Sequence, residues 1–288
     1  MVAARIGVLG HGRVPATQPV LRGDDLGVLR GDGLFETMHL RSGRPWLREA
    51  HLERMARAAK AVELALPPVE ALVTLLDDVC DGWPADVEGA LRLVCTRGPE
   101  GGGPPTVYAT LAPVPASARA ARRDGITVAT LPLGVPARAR SGLDWLPAGI
   151  KSTSYAVSTA ARRWATRAGV DDVLWVSSDG YALEGPTASV VWLAGGTLCT
   201  VPADTGILPG TTVAWLLAHA VEIGLAADER LVTPAGLHAA DAVWFSSSIR
   251  GLVEVRALDG AERPRSEWTG RLQALLGFPA PPAGRDRA

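Results

Sequence analysis

The chain has 288 residues, 47% hydrophobic and 20% charged, with 29 Lys+Arg against 30 Asp+Glu for a net charge of −1. This length allows one large domain or two modest ones, each with a buried core, and the composition excludes a disordered chain. Balanced charge argues against a nucleic-acid partner, and no apolar run approaches the roughly 20 residues of a membrane span.

The opening MVAARIGVLGHGR has too short an apolar stretch for a secretory signal. Residues 34–40 (LFETMHL) have the pattern of a strand, and Ser42-Gly43 reads as a hairpin turn before Arg44-Pro45-Trp46-Leu47. Residues 49–66 follow a helical period, with Leu52, Met55, Ala56, Ala59, Val62 and Leu66 on one stripe, until Pro67-Pro68 stops it. A second helix over 69–80 breaks at Asp81-Gly82, and strands follow at 90–96 and 106–111 around the loop RGPEGGGPP. Residues 114–124 are rich in Pro, Ala and Arg without alternation. They read as a linker between an N-terminal domain, 1–113, and a larger C-terminal domain, 125–288.

The second half opens with a strand at 126–131 and an irregular Pro-rich run to Leu146-Pro147. A helix over 155–168 closes at Gly169. Short strands are expected at 172–176, 181–183, 189–193 and 197–200, with turns at Asp179-Gly180 and Gly195-Gly196. A helix opens at Gly210-Thr211-Thr212 and runs to Ile223; a strand at 242–245 and a helix at 266–276 precede a tail, 280–288, expected to be mobile. Strands followed by helices in each half indicate two α+β lobes.

Three cysteines, Cys80, Cys95 and Cys199, have no paired spacing, which speaks against a disulfide framework and for a reducing cytoplasm. The five histidines lack metal-ligand spacing, so no metal is expected. Only two of the basic residues are lysines, Lys60 and Lys151. Where nearly every cation is arginine, a retained lysine marks a place that a guanidinium cannot serve, because only an amine forms a Schiff base. Lys60 lies on a helix flank, where a snorkelling stem accounts for it; Lys151 follows Pro147-Ala148-Gly149 and precedes a helix, and is the chemical candidate.

Glu184 ends the run YALE before Gly185-Pro186, placed to pair with a protonated ring nitrogen. LPGTT (208–212) and FSSS (245–248) set small hydroxyls at element boundaries, where helix N-termini cradle phosphate. Arg54 falls on the polar face of its helix and could be the fixed cation for that phosphate. One amine, one carboxylate, one arginine and two phosphate-type turns suit a cofactor with an aldehyde, a pyridine nitrogen and a phosphate: pyridoxal 5′-phosphate (PLP).

RGDGLFET (30–37), HLERM (51–55), KSTSY (151–155), LEGPTASV (183–190), ILPGTT (207–212) and FSSSIRGLVEV (245–255) follow one another in an order and spacing that resembles the class IV aminotransferase family. These are the two-lobed, α+β, fold-type IV PLP enzymes. The resemblance implies that Lys151 carries the cofactor as a Schiff base and acts as acid and base. It implies Glu184 on the pyridine nitrogen and Tyr155 on the phenolic oxygen. Arg54, Thr212, Ser248 and the backbone N–H groups of Thr211 and Ser247 would hold the phosphate. Phe35 would line the substrate pocket, with Thr37 and His39 on the same strand face. Arg92 or Arg97 would meet the carboxylate of a small amine substrate, and alternation puts the two on opposite faces.

Ser189 and Ser154 stand where relatives often have Asn. GPEGGGPP replaces the Arg-x-His carboxylate trap of D-amino-acid aminotransferases, which counts against that activity. Length and SSSIRGLVEV most resemble the lyase branch, which expels pyruvate from 4-amino-4-deoxychorismate and leaves 4-aminobenzoate for folate synthesis. A class IV aminotransferase acting on branched-chain or D-amino acids is the alternative reading, and a non-catalytic PLP-binding member is a third. The resemblance also implies a homodimer.

Overall fold

The computed structural model describes residues 2–143 and 145–278, in which the chain forms two units: Met1–Pro115 with Asp144–Ala156, and Ala116–Leu143 with Val157–Ala288. The tail expected to be mobile lies outside the described residues.

In the first unit, β1 (Arg5–Val8), β2 (Gly12–Val14), α1 (Leu26–Leu29), β3 (Gly33–Arg41), β4 (Arg44–Pro45), α2 (Arg48–Ala61), α3 (Val69–Cys80), β5 (Gly89–Thr96) and β6 (Thr106–Pro113) follow in order. The strands form a six-stranded antiparallel sheet, β2-β1-β6-β5-β3-β4. The β3–β4 turn is made by Ser42 and Gly43, both at positive φ (47° and 75°), as a tight hairpin requires. One sheet face carries Leu34, Met38, Leu91, Leu93, Val107 and Leu111 into a core with Met55 of α2 and Leu72 and Leu76 of α3. The other face carries Phe35, Thr37, Arg92 and Tyr108.

Helix α2 stops short of the expected Leu66. Glu63 takes φ +50°, Glu63 N–H reaches Lys60 O at 3.3 Å, and Leu64 N–H reaches Ala59 O at 2.9 Å, a Schellman closure sealed by buried Leu64. The expected stripe is also rotated: Ala56 is exposed, whereas His51 and Arg54 are buried.

In the second unit, α4 (Ala116–Asp124), β7 (Ile126–Pro132), α5 (Ala156–Ala168), β8 (Asp172–Val176), β9 (Glu184–Gly185), β10 (Ala188–Ala194), β11 (Thr197–Thr200), α6 (Thr211–His219), β12 (Ala226–Glu229), α7 (Pro234–Ala239), β13 (Ala242–Ser247), β14 (Gly251–Leu258), β15 (Ala261–Glu262) and α8 (Trp268–Leu275) follow in order. A mixed sheet runs β12-β11-β10-β13-β14-β7-β8, with β15 on β14 and β9 on β10. Its central strands are buried on both faces, which explains the unbroken apolar runs around Trp192 and Trp244.

The segment read as a linker is helix α4, whose Arg122 donates to the carbonyls of Ile249 and Arg250 at 2.9 and 3.2 Å. The helix from Thr211 gives way to a 3-10 turn, Ala220–Ile223, and the strand expected at 181–183 reduces to a single bridge between Val176 and Ala182. Strands β1, β2, β12, β14 and β15 and helices α1 and α7 had no counterpart in the element reading. Among the described residues no helix is long and apolar enough to cross a membrane, and Cys80, Cys95 and Cys199 are buried and unpaired.

Candidate active site

Lys151 lies in the first unit, within Asp144–Ala156, and not in the C-terminal domain expected for it. Its segment is stitched to the start of β3: Phe35 N–H donates to Lys151 O at 3.0 Å and Thr153 N–H to Gly33 O at 2.8 Å, with a bridge between Leu34 and Ser152. This close approach explains the glycine in RGDG. Gly31 takes φ +67°, and a Cβ there would stand 2.7 Å from Ser154 Oγ. The hydroxyls of Thr153 and Ser154 donate to Gly31 O at 2.7 and 3.0 Å, which fixes the turn that follows Lys151.

The lysine amine lies 4.5 Å from the centroid of Phe35, Tyr155 packs edge-on against the same ring at 5.3 Å, and Arg92 Cζ lies 5.3 Å from it. Phe35 thus gathers an amine, a phenol and a guanidinium around one ring. Arg97 is turned to the opposite face, as alternation requires. It is held by Asp32 at 2.6 Å and by the carbonyls of Val62 and Glu63 at 2.8 and 2.9 Å. Of the two arginines, only Arg92 shares the face that carries Phe35. His39 shares that face too, but is buried: Arg41 Nε donates to its Nδ1 at 2.7 Å and its Nε2 meets Glu88 at 2.8 Å. These contacts leave its proton on Nε2 and give it a structural setting. Thr37 lies between Phe35 and His39 in the same row, opposite Arg92 in register.

Arg54 lies on the buried side of α2, not on its polar face. Its Nε and Nη2 donate to the two oxygens of Glu36 at 2.8 and 2.6 Å, and His51 Nδ1 reaches Glu36 at 2.7 Å. Burial opposes ionisation of Glu36, but the hydrogen bonds from Arg54 and His51 and the charge of Arg54 outweigh it and hold the carboxyl down at about 2. Burial lowers His51 despite Glu36, and the nearby charges of Arg54 and Lys151 lower it further, so the imidazole is neutral and donates Nδ1–H. Glu36 and His51 received no role from the sequence. A charged residue at a core-facing position between Leu34 and Met38 was the available signal, since a buried carboxylate demands a partner.

The second unit carries the hydroxyl and carboxylate set. Glu184 begins β9 and accepts a hydrogen bond from Leu208 N at 3.2 Å, which ties it to the loop leading into α6. Gly210 caps α6 without a side-chain bond, and a Cβ there would stand 2.6 Å from Ser189 Oγ. Ser189 and Ser246 are register partners across β10 and β13. Thr211 and Thr212 form the first turn of α6, Ser247 ends β13, and Ser248 follows it in the turn to β14. Thr212 Oγ1 and Ser246 Oγ are buried with no hydrogen-bond partner among the described residues. An orphaned hydroxyl in the first turn of a helix that lacks a side-chain cap, with a second in β13, fits a bound phosphate. Ser246 is a residue that the sequence reading left without a role. Among the described residues no group of three or more His, Cys, Asp or Glu could hold a metal ion.

The sequence pattern of the Amino-transferase class IV family matches residues 33–258. The chain belongs to that family. It is 41% identical over 257 residues to the bifunctional aminodeoxychorismate lyase / D-amino acid transaminase of Mycobacterium tuberculosis, covering 86% of this chain and 89% of that one. In fold it is similar to a PLP-bound hypothetical aminotransferase from M. tuberculosis (TM-score 0.92, 39% identity, 95% of this chain and 97% of that one). It is also similar to the fold IV-transaminase CpuTA1 from Curtobacterium pusillum (TM-score 0.88, 36% identity, 95% and 97%). The α+β fold is therefore that of the fold-type IV enzymes, and PLP is the cofactor that goes with the family.

Proposed function

We propose that the protein is a PLP-dependent lyase that converts 4-amino-4-deoxychorismate to 4-aminobenzoate and pyruvate, with D-amino-acid transamination as a second activity of the same site. The 41% identity to a relative named for both activities, across 86% of this chain, carries the reading. The missing Arg-x-His trap does not oppose the second activity, because Arg92 beside Phe35 offers another partner for a substrate carboxylate.

When bound, the cofactor supplies a carbonyl carbon for the substrate amine and a ring that withdraws the electrons left by proton loss. Lys151 is the amine that anchors it and then moves the proton, taking it from the substrate carbon and returning it on the product side. The Phe35 ring and the β3 hydrogen bonds keep that amine in one place. Tyr155 offers a phenol beside the same ring, and Glu184 offers a carboxylate to a protonated ring nitrogen. Thr212, Ser246, Ser247, Ser248 and the first N–H groups of α6 offer donors to the phosphate, and the family resemblance gives Arg54 the same role. A 4-aminobenzoate product would place the enzyme in folate synthesis. The buried, unpaired cysteines support a cytoplasmic setting, and the family resemblance supports a homodimer.

Purified protein should show the visible absorbance of a lysine-bound cofactor, and Lys151→Ala should lose it. Incubation with 4-amino-4-deoxychorismate should yield pyruvate and 4-aminobenzoate. D-alanine with 2-oxoglutarate should yield glutamate more slowly. Turnover of L-leucine with neither of these would overturn the lyase reading in favour of a branched-chain aminotransferase.

A further inference from the structure

On the sheet face turned away from α2 and α3, two rows cross the strands. Phe35 pairs with Val94 and Val94 with Tyr108; Thr37 pairs with Arg92 and Arg92 with Thr110. Tyr108 and Arg92 are therefore diagonal neighbours on one face, about 7–8 Å apart at the backbone and within reach of long side chains. Neither makes a hydrogen bond or ion pair with any described residue, although Arg92 lies against the Phe35 ring that also carries the Lys151 amine.

The carboxylate near this pair is Asp25, and it is already committed. It is fully buried and accepts from Gly27 N, Thr96 Oγ1 and Thr106 Oγ1 at 2.7, 2.9 and 2.8 Å. The phenol of Tyr108 is half-buried; burial raises its pKa, Arg92 pulls the other way, and Asp25 adds to the rise, so it remains a neutral O–H donor. A guanidinium and a phenol, both donors and both without an acceptor among the described residues, share the face that carries Phe35, the ring beside the Lys151 amine. Two adjacent donors, one of them charged, suit an anion.

We propose that Tyr108 is a substrate-positioning residue that forms, with Arg92, a two-donor seat for the substrate carboxylate. The proposal rests on the functional reading above, because it takes the anion to be the carboxylate of an amino acid or 2-oxo acid. Arg92 supplies the charge; Tyr108 supplies a second donor that limits how the carboxylate turns. A tyrosine present only to pack would be replaced by phenylalanine without consequence.

The test is calorimetric titration of the purified protein, its visible absorbance recorded first, with succinate and with uncharged succinamide. Tyr108→Phe keeps the ring and removes one donor, so succinate should bind about tenfold more weakly, and Arg92→Met should cost about a hundredfold. Succinamide affinity should stay within about twofold in both variants, and the phenol should matter less once Arg92 is gone. In the D-alanine reaction, Tyr108→Phe should raise KM several-fold and leave kcat within about twofold. Succinate affinity unchanged in Tyr108→Phe, or succinate and succinamide weakened alike, would overturn the proposal. A colourless protein that still distinguishes succinate from succinamide through Tyr108 would keep the carboxylate seat and overturn the cofactor reading instead.

Discussion

Arg54 and Glu36 form a two-point ion pair at 2.8 and 2.6 Å inside the layer between β3 and α2, with only 5% of the arginine and 1% of the glutamate exposed. A charge removed so far from water is stable only while its partner stays ionised and in place. The pair, braced by His51, therefore fixes the plane of the Arg54 guanidinium. It does so from within the hydrophobic core.

Glu36→Gln keeps the shape of the side chain and removes its charge. Breaking one side of a buried pair costs about 3–5 kcal/mol, so the variant should unfold at clearly lower denaturant. Its affinity for PLP should also fall, because Arg54 is no longer oriented. Paired denaturant curves with and without PLP measure both effects; a variant that loses neither would show that the pair is dispensable.

The same cluster sets the acid limit of the fold. Glu36 titrates at about 2 in the native state against an ordinary value of 4.5, so its contribution is present above 4.5 and lost as pH falls toward 2. The difference corresponds to about 3 kcal/mol. His51, whose native pKa is depressed below 6.5, acts in the same direction: its contribution is present above 6.5 and erodes as the unfolded chain takes up protons below it. Unfolding free energies measured from pH 7 down to pH 3 should decline, and Glu36→Gln should flatten the steeper, more acidic part.

Thr212 offers a test of sign. Its hydroxyl is buried and unpartnered, so Thr212→Val should leave the cofactor-free protein as stable as before or up to about 1 kcal/mol more stable. Affinity for PLP and for inorganic phosphate should fall about tenfold or more, because a charge-assisted hydrogen bond is lost. Equilibrium dialysis with both ligands reads the second effect, and thermal melts read the first. A structural hydroxyl would produce the opposite pair of results.

Arg97 and Arg92 should separate cleanly. Arg97→Met removes an ion pair with Asp32 and two carbonyl contacts that tie β5 to the end of α2, so melting temperature should drop while KM for the substrate amine holds. Arg92→Met should keep its melting temperature and raise KM.

All three thiols are buried, and burial pushes Cys80 and Cys95 up to about 12. Iodoacetamide at neutral pH should label none of them in the native protein and all three after denaturation, because the thiolate is the reactive form. Mass spectrometry of the intact chain counts the adducts.

Much of the fold was legible where a local period met a local stop. The strand pattern of LFETMHL with Ser42-Gly43 behind it specified β3 and its turn, and helix α3 ended at Asp81 as read. The motifs around Lys151, Glu184 and LPGTT identified the family, because a cofactor demands fixed residue types at fixed places. Residues 114–124 defeated the reading: the buried side of α4 consists of Ala118 and Arg122, and the arginine donates to carbonyls more than a hundred residues away.

Taken alone, the sequence determined that this is a two-lobed PLP-type chain with a single chemically placed lysine. Turn residues and the residue types a cofactor demands are fixed along the chain itself. Tertiary structure alone decided that Lys151 belongs to the first unit, that Arg54 is locked to Glu36, that Arg97 holds the scaffold, and that Arg92 and Tyr108 share one face. Each of those outcomes depends on strand register and burial, which bring residues distant in sequence to hydrogen-bonding range. A side chain's partner is set there, and its role follows from the partner.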